Sequence, residues 1–277
     1  MLGTDVCSVL GEAHEICGYD IGDFDIADAY HTAGVVLEVS PSVIVHTAAF
    51  TDVEACEDER EKALRINATG TMNIAKASSQ AGCLLIYLST DYVFDGSKRS
   101  PYKEVDTPDP INHYGFTKLQ GENHVRDLAP RYLIVRTSWL FGPNGRNFVD
   151  TILDKASRSG SLRVVNDQRG NPTYSRDLAK GIRSLIEREV EGIVHLTNSG
   201  DATWFDLAKY ATGLAGLDVE IEPVESAAYP TKARRPPYSV LASDVLAGVG
   251  IDPLPPWEQG VKDHMVRRGL LNNKGES

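Results

Sequence analysis

Three short runs of apolar residues stand out along the chain, and each contains β-branched side chains. They occupy residues 42–46, 83–88 and 131–136. Nearly continuous apolar runs of this length are typical of parallel strands that are covered on both faces. Each run ends in small or polar residues, and in an open α/β sheet a ligand binds beyond the carboxyl ends of the strands. The pattern therefore predicts that the three tails converge on one crevice.

Helical spacing fills the stretches between these runs. A charged stretch begins at Glu57, and apolar positions at helical spacing continue to Gly82, which is a typical stop signal. Strands that alternate with helices in this way form βαβ units, so we predict an α/β fold with a Rossmann-like, doubly wound parallel sheet. Farther on, the pattern predicts a helix over 176–189, a strand over 192–196, a helix over 204–214 that Thr203 opens, and an irregular, proline-rich remainder.

This change of pattern divides the chain into two parts. We expect a dinucleotide-binding domain formed by residues 1–158 together with 174–190. We expect a smaller substrate-binding lobe formed by residues 159–173 together with 191–277. Its irregular, proline-rich sequence is more typical of a lobe that covers a substrate than of a second Rossmann-type half.

Composition limits the kinds of partner that the protein can bind and the cellular compartment in which we expect it. The 277 residues can bury a large core, and the net charge of -11 argues against nucleic acid as a general partner. No apolar run approaches the ~20 residues of a membrane span, and no secretory leader is visible. The four cysteines are scattered without metal-ligand spacing, which indicates free thiols in a reducing compartment: Cys7, Cys17, Cys56 and Cys83. We therefore expect a cytoplasmic protein that binds neither nucleic acid nor membrane.

The candidate chemistry follows the second apolar run. Thr90 comes directly after it, and Tyr114 and Lys118 come after a short loop. Tyr114 and Lys118 are four residues apart, so on a helix they share one face. Because a nearby ammonium stabilises a phenolate, we expect Lys118 to lower the pKa of Tyr114 from about 10 and make it a usable acid. This spacing alone also occurs on solvated helix faces; its place after a buried strand favours reduction of a carbonyl.

An acidic protein that binds an anionic ligand needs a local concentration of positive charge. Residues 232–237 provide one lysine and two arginines followed by two prolines. Guanidinium groups pair bidentately with phosphates, and the prolines restrict the loop; a solvated surface loop is the alternative. The polar run at 166–173 either hydrogen-bonds a sugar or base or simply makes a turn.

Taken together, these stretches resemble the dTDP-4-dehydrorhamnose reductase family, within the extended short-chain dehydrogenase/reductases. The matching stretches span almost the whole chain in the family's order. They are residues 89–96, 114–122, 136–142, 167–173, and 229–231 with 233–236. Each motif is weak by itself, but their ordered combination is specific.

The resemblance implies the reduction of the C4 carbonyl of dTDP-4-dehydro-6-deoxy-L-mannose to dTDP-L-rhamnose, with hydride from NADPH or NADH. It implies that Tyr114 donates the proton, that Lys118 holds the nicotinamide ribose, and that Thr90 hydrogen-bonds the carbonyl oxygen as charge develops there. Asp91 and Trp139 would help to hold the sugar. The remaining implied contacts are Ala48, Ala49 and Thr51 beside the cofactor and Arg235 on the nucleotide phosphates.

The amino terminus departs from the family. Gly3 resembles the last glycine of the turn that lets the backbone approach a pyrophosphate, whereas the first strand and the leading glycines are missing. We expect this truncation, from a late start or trimming, to expose core and weaken cofactor binding. Asp20 follows a strand-like run at 14–19 and is placed to accept hydrogen bonds from the adenine ribose, which favours NADH. Asp25 and Ile26 match another cofactor-side segment, and the choice between NADH and NADPH stays open.

Two other functions remain open on these residues. A non-catalytic regulatory subunit of the methionine adenosyltransferase β type shares the pattern at 90–96, although 136–139 and 167–173 favour the reductase. A sugar-nucleotide epimerase or dehydratase would keep its nicotinamide bound, and a dehydratase is expected to carry a second carboxylate where Tyr92 stands. We expect a nucleotide-sugar ligand, while a homodimer and assistance by Mg²⁺ are left open.

Overall fold

The computed structural model describes residues 1–271. Its strands, in chain order, are β1 (Val43–His46), β2 (Leu84–Thr90), β3 (Tyr132–Thr137), β4 (Leu140–Phe141), β5 (Ser161–Val165), β6 (Arg169–Gly170), β7 (Thr173–Tyr174), β8 (Gly192–His195), β9 (Asn198–Ser199), β10 (Ala202–Thr203), β11 (Glu220–Val224) and β12 (Leu254–Pro256). Its helices are α1 (Leu2–Leu10), α2 (Ala29–Val39), α3 (Val53–Asp58), α4 (Arg60–Leu64), α5 (Thr71–Ala81), α6 (His113–Leu128), α7 (Phe148–Ala156), α8 (Ser175–Glu187), α9 (Trp204–Leu214), α10 (Val245–Gly248) and α11 (Trp257–Arg267). A π-helical turn spans Arg65–Gly70, and 3₁₀ turns span Asp91–Val93 and Ser226–Ala228.

A parallel sheet in the order β1-β2-β3-β8 forms the centre of the molecule. Every residue of β2 is buried, as expected for a strand covered on both faces. Alternate residues supply two cores. Ile86 and Val135 pack with α1 and α8, whereas Tyr87 and Ile134 pack with α5 and α6. This arrangement confirms the doubly wound α/β fold.

The helices predicted from pattern are present, but the stretch from Glu57 to Gly82 is divided among α3, α4, the π-helical turn and α5. Helix α5 ends at Gly82, whose φ of 67° is readily reached by glycine. Helix α9 begins after Thr203, which forms a reciprocal capping box with Asp206. Helix α11 lies in the stretch expected to be irregular; its buried face, which includes Trp257 and Met265, packs in the core of the smaller lobe.

Two predictions about strands need correction. Residues 14–19 form no strand and are exposed, because no described strand hydrogen-bonds to them and an isolated strand is not stable in water. Strand β8 was assigned to the smaller lobe, but it pairs with β3 in the central sheet, where Val135 lies opposite Val194. Helix α7 was assigned to the dinucleotide-binding domain, but its Val149 and Leu153 pack in one apolar cluster with α9 and α11. The remaining boundaries of the two-part division stay a prediction.

The smaller lobe packs over the carboxyl end of the sheet. Strands β5 and β11 form a parallel pair, and α7, α9 and α11 pack around an apolar cluster. The chain then returns to the central domain through residues 229–242, where Tyr102 N donates to Val240 O at 2.8 Å and Ala242 N donates to Tyr102 O at 2.9 Å. This return brings the basic loop to the end of the sheet. Within residues 1–271, no helix is long and apolar enough to cross a membrane.

Candidate active site

The catalytic candidates meet where β2 ends. Thr90 is the last residue of β2, and Tyr114 lies in the first turn of α6. Asn112 caps this helix by accepting a hydrogen bond from Gly115 N at 2.8 Å, and its amide donates to Arg234 O at 2.8 Å. A Cβ at Gly115 would lie 2.0 Å from the carbonyl oxygen of Tyr92, so only glycine lets α6 approach this closely. The cap and the glycine thus set the position of Tyr114, although neither was singled out from the sequence.

Tyr114 is held as a neutral phenol. Burial raises its pKa above the usual value, and the neighbouring Asp91 carboxylate raises it further, while a hydrogen bond with Thr90 acts in the opposite direction. The Tyr92 ring packs edge-on at 6.0 Å. The prediction that Lys118 lowers the pKa of Tyr114 is wrong for the ligand-free protein, because the loss of solvent outweighs any effect of the ammonium. A phenol that keeps its proton at neutral pH suits a proton donor.

Lys118 lies one turn after Tyr114 on α6 and is only 2% exposed. Its Nζ lies 4.1 Å from the centroid of the Tyr87 ring. Burial lowers its pKa to about 7, and the negative charge of Glu122 opposes this effect. Among residues 1–271, no oxygen atom accepts a hydrogen bond from this Nζ, so its donors are free to hold a hydroxyl-bearing ligand.

Asp91 is a buried carboxyl group beside Thr90. Ser239 Oγ donates to its Oδ2 at 2.5 Å, and Thr90 Oγ1 donates to its Oδ1 at 3.1 Å. Burial raises its pKa to about 7 in spite of these donors. Ser239 comes from the returning segment, 148 residues farther along the chain, so no local pattern could have identified it.

Trp139 forms a wall at the carboxyl end of β3. Its φ of 45° is in the left-handed region, which non-glycine residues seldom adopt. The indole stacks on Trp204 with centroids 3.5 Å apart and planes 3° apart. Gly170 lies against the same ring, because a Cβ there would come within 2.6 Å of it. The stack joins the central sheet to α9 of the smaller lobe.

The polar run at 166–173 contributes mainly to the fold. Asn171 accepts from Leu241 N at 2.7 Å through its side chain and donates to Gly200 O at 2.8 Å. Gln168 accepts from the Trp204 indole at 3.2 Å. The sequence left open whether this run binds a ligand or makes a turn. Asn171 fits the turn, because its side-chain amide hydrogen-bonds to other parts of the protein.

The basic loop lies against α3. Arg235 Nη2 is 2.9 Å from Glu54 Oε1, and Arg235 also hydrogen-bonds to the Tyr92 side chain. Lys232 Nζ pairs with Asp58 at 2.5 Å. Because a guanidinium carries five N–H donors, Arg235 can contact Glu54 and still donate to a second anion.

The predicted cofactor residues fall into two groups. Gly3 lies at the carboxyl end of β1, since a Cβ there would be 3.1 Å from Thr47 Oγ1. The tail of β1 leaves Ala48 and Thr51 exposed and Ala49 half-buried beside it. The second group lies in the irregular segment after α1. There Asp25 pairs with Arg65 at 2.6 Å, which lowers the pKa of Asp25, while Ile26 packs against Gly70 and Asp20 is exposed.

Comparison with known proteins bears directly on this arrangement. The family model described as "RmlD substrate binding domain" matches residues 1–269. The dTDP-4-dehydrorhamnose reductase of Salmonella typhimurium is 39% identical over 259 residues, covering 90% of this chain and 85% of that protein. The chain belongs to the dTDP-4-dehydrorhamnose reductase family.

Solved structures agree with this membership. The dTDP-4-dehydrorhamnose reductase of Bacillus anthracis in complex with NADP superposes with a TM-score of 0.94 at 38% identity, covering 96% of this chain and 95% of that chain. A UDP-glucose 4-epimerase of Thermus thermophilus in complex with NAD gives a TM-score of 0.83 at 17% identity, which shows a common fold alone. The predicted membership of the reductase family is therefore confirmed, and Thr90, Tyr114 and Lys118 lie together at the sheet end of a family member.

Proposed function

We propose that this protein catalyses the reduction of the C4 carbonyl of dTDP-4-dehydro-6-deoxy-L-mannose to dTDP-L-rhamnose with NADPH or NADH. The observation that carries the proposal is the grouping of Thr90, Tyr114 and Lys118 at the carboxyl end of β2, in a member of this reductase family. The buried Lys118, whose Nζ donates to no acceptor among residues 1–271, supports the proposal because its donors can hold a ligand hydroxyl.

The residues present suit a nicotinamide cofactor. The Nζ donors of Lys118 match ribose hydroxyls, and the small side chains of Ala48 and Ala49 leave room beyond β1. The close approach of Gly3 to Thr47 suits a backbone that must come near a pyrophosphate. A bound reduced nicotinamide would supply the hydride that reduces the carbonyl carbon.

The protein's own groups then handle the proton. Tyr114, which burial keeps protonated, donates its hydroxyl proton to the carbonyl oxygen. Thr90, whose hydroxyl donates to Asp91 in the ligand-free protein, turns that hydrogen to the same oxygen and stabilises the charge that develops on it. Lys118 as an ammonium stabilises the phenolate left on Tyr114. Hydride on carbon and proton on oxygen together give the alcohol.

The other site residues hold the substrate. Trp139 packs against the sugar, and Asp91 hydrogen-bonds to its hydroxyl groups. Arg235 contacts the diphosphate through donors that Glu54 leaves free. We place the reaction in the cytoplasm because its nucleotide-sugar substrate and nicotinamide belong there, and a homodimer stays a prediction.

The test is the loss of reduced-nicotinamide absorbance when the purified protein meets dTDP-4-dehydro-6-deoxy-L-mannose. We expect stoichiometric oxidation of the cofactor and formation of dTDP-L-rhamnose. Lys118→Met serves as the matched variant, since it keeps most of the buried side-chain volume and removes the charge, and its turnover should fall. No oxidation with either nicotinamide, in folded protein with bound cofactor, would contradict the proposal.

A further inference from the structure

A buried ion pair lies one helical turn beyond Lys118. Glu122 and Arg136 are 1% and 2% exposed. The guanidinium binds the carboxylate through two parallel hydrogen bonds, Nε to Oε1 at 2.9 Å and Nη2 to Oε2 at 2.7 Å. Ser89 Oγ donates a third hydrogen bond to Oε1 at 2.5 Å. Both charges are thus removed from water and held in a single geometry.

The cluster adjoins the candidate site. Ser89 precedes Thr90 on β2, and Arg136 lies opposite Ser89 on β3. Arg136 Nη1 also lies 3.4 Å from His195 Nε2 on β8, and its guanidinium lies over the Phe94 ring. The ion pair therefore joins α6 to β2 and β3 at the point where the site is built.

Stability alone is a weak reason to keep such a pair. Apolar residues of similar volume often replace a buried ion pair with no loss of stability, because desolvation offsets the attraction between the charges. The position of the pair gives a second reason. Lys118 and Glu122 are four residues apart on α6, so they share the helix face that lies against the sheet.

The other groups that face Lys118 provide no negative charge. They are His46 from β1 and Tyr87 from β2, together with Tyr114 one turn earlier on α6. Arg136 of β3, which pairs with Glu122, carries a positive charge. His46 is buried, its Nε2 contacts Thr71 Oγ1 at 3.0 Å, and burial lowers its pKa to about 3, so it is neutral. Tyr87 is neutral because burial raises its pKa. Glu122, one turn farther along α6, is thus the carboxylate whose negative charge acts on Lys118.

We propose that Glu122 is a positioning residue that keeps Lys118 in its ammonium form in the ligand-free site. Arg136 orients the carboxylate through two parallel hydrogen bonds, so that Glu122 acts on Lys118 without capturing it in a direct ion pair. The ammonium then keeps its donors free for a ligand and its charge available to the Tyr114 phenolate. The catalytic part of this inference rests on the proposed function; the effect on Lys118 does not.

A titration of Lys118 tests the charge effect without any substrate. The Nζ signal is followed by NMR in protein made with isotope-labelled lysine and is assigned with Lys118→Arg. The native midpoint is expected at about 7. Glu122→Gln leaves the Arg136 charge uncompensated, so the midpoint should fall by about one pH unit. The double variant Glu122→Gln with Arg136→Met removes both charges, and its midpoint should lie between the other two.

The three midpoints decide the proposal. Three equal midpoints would overturn it. A midpoint that is lowest in the single variant, intermediate in the double variant and highest in the native protein supports it. If the single variant does not fold, the double variant still decides, since a midpoint below the native one supports the proposal and an unchanged midpoint contradicts it.

The pH dependence of kcat/KM provides the second readout. In Glu122→Gln the ammonium is lost at lower pH, so the alkaline limb of the profile should move to lower pH by about one unit. Above both midpoints, kcat/KM of the variant should be about tenfold lower than that of the native protein, and the difference should fade as the pH is lowered. An equal loss at every pH would mean a structural role and overturn the proposal. Native protein that turns over no substrate would contradict the proposed function, and the NMR titration would still be readable.

Discussion

The substitution Gly170→Ala isolates the Trp139 wall of the site. The new Cβ would lie 2.6, 2.7 and 3.0 Å from three atoms of the Trp139 indole. An ordinary apolar contact is about 4 Å, so the ring must move by roughly 1 Å. The Trp204 ring, whose centroid is 3.5 Å away, already lies at contact distance and leaves no room in its direction. The indole must therefore slide and give up part of the stack.

The expected cost follows from these two effects. Overpacking a filled site typically costs about 1–3 kcal/mol, and an aromatic pair contributes about 0.5–1.5 kcal/mol beyond its buried area. We expect the free energy of unfolding to fall by about 2–3 kcal/mol, measured by urea denaturation. The circular-dichroism signal of the coupled indoles should weaken. Because Trp139 is proposed to hold the sugar, the KM for the nucleotide sugar should rise more than kcat falls.

Gly213 offers a matched control. It lies in α9, the helix that carries Trp204, and a Cβ there meets nothing within 4 Å. Gly213→Ala should raise the stability by about 0.5–1 kcal/mol through helix propensity and leave KM unchanged. If Gly170→Ala were as stable as the native protein and kept the indole signal, the account of Trp139 as a wall held by Trp204 would be refuted.

Three further predictions concern individual site residues. Tyr114→Phe should lose most turnover while keeping substrate affinity, because it removes the proton donor and little volume; near-native turnover in the cofactor-oxidation assay would remove Tyr114 from that role. Arg235→Ala should raise the KM for the nucleotide sugar more than it lowers kcat, and an unchanged KM would assign the phosphate contact to another residue. Burial raises the pKa of Asp91 from 3.8 to about 7 in the folded protein, so between these pH values the folded state binds more protons than the unfolded state. The contribution of Asp91 to stability therefore falls as the pH rises through that window. Asp91→Asn removes this contribution, so the native-minus-variant difference in unfolding free energy should fall as the pH rises from about 4 to about 7. Urea denaturation at several pH values measures this difference, and parallel native and variant curves would contradict the raised pKa.

The sequence contained most of the sheet and the catalytic helix. Residues 84–90 are apolar and β-branched enough to be buried on both faces, and α9 begins where Thr203 provides its cap, because both signals act over a few residues. The run at 14–19 has a similar local pattern but forms no strand. A strand depends on a hydrogen-bonded neighbour, and local pattern carries no information about whether one is present.

The sequence by itself determined the parallel sheet, the four-residue spacing of Tyr114 and Lys118, and the family, because each is written in short stretches of the chain. Only the tertiary structure decided the chemistry of those side chains. Burial raises the pKa of Tyr114 where the spacing predicted a decrease, and Ser239, 148 residues away from Asp91, contacts the site through a distant return of the chain. Protonation depends on which groups surround a side chain and on how much water they leave, and both quantities exist only after folding.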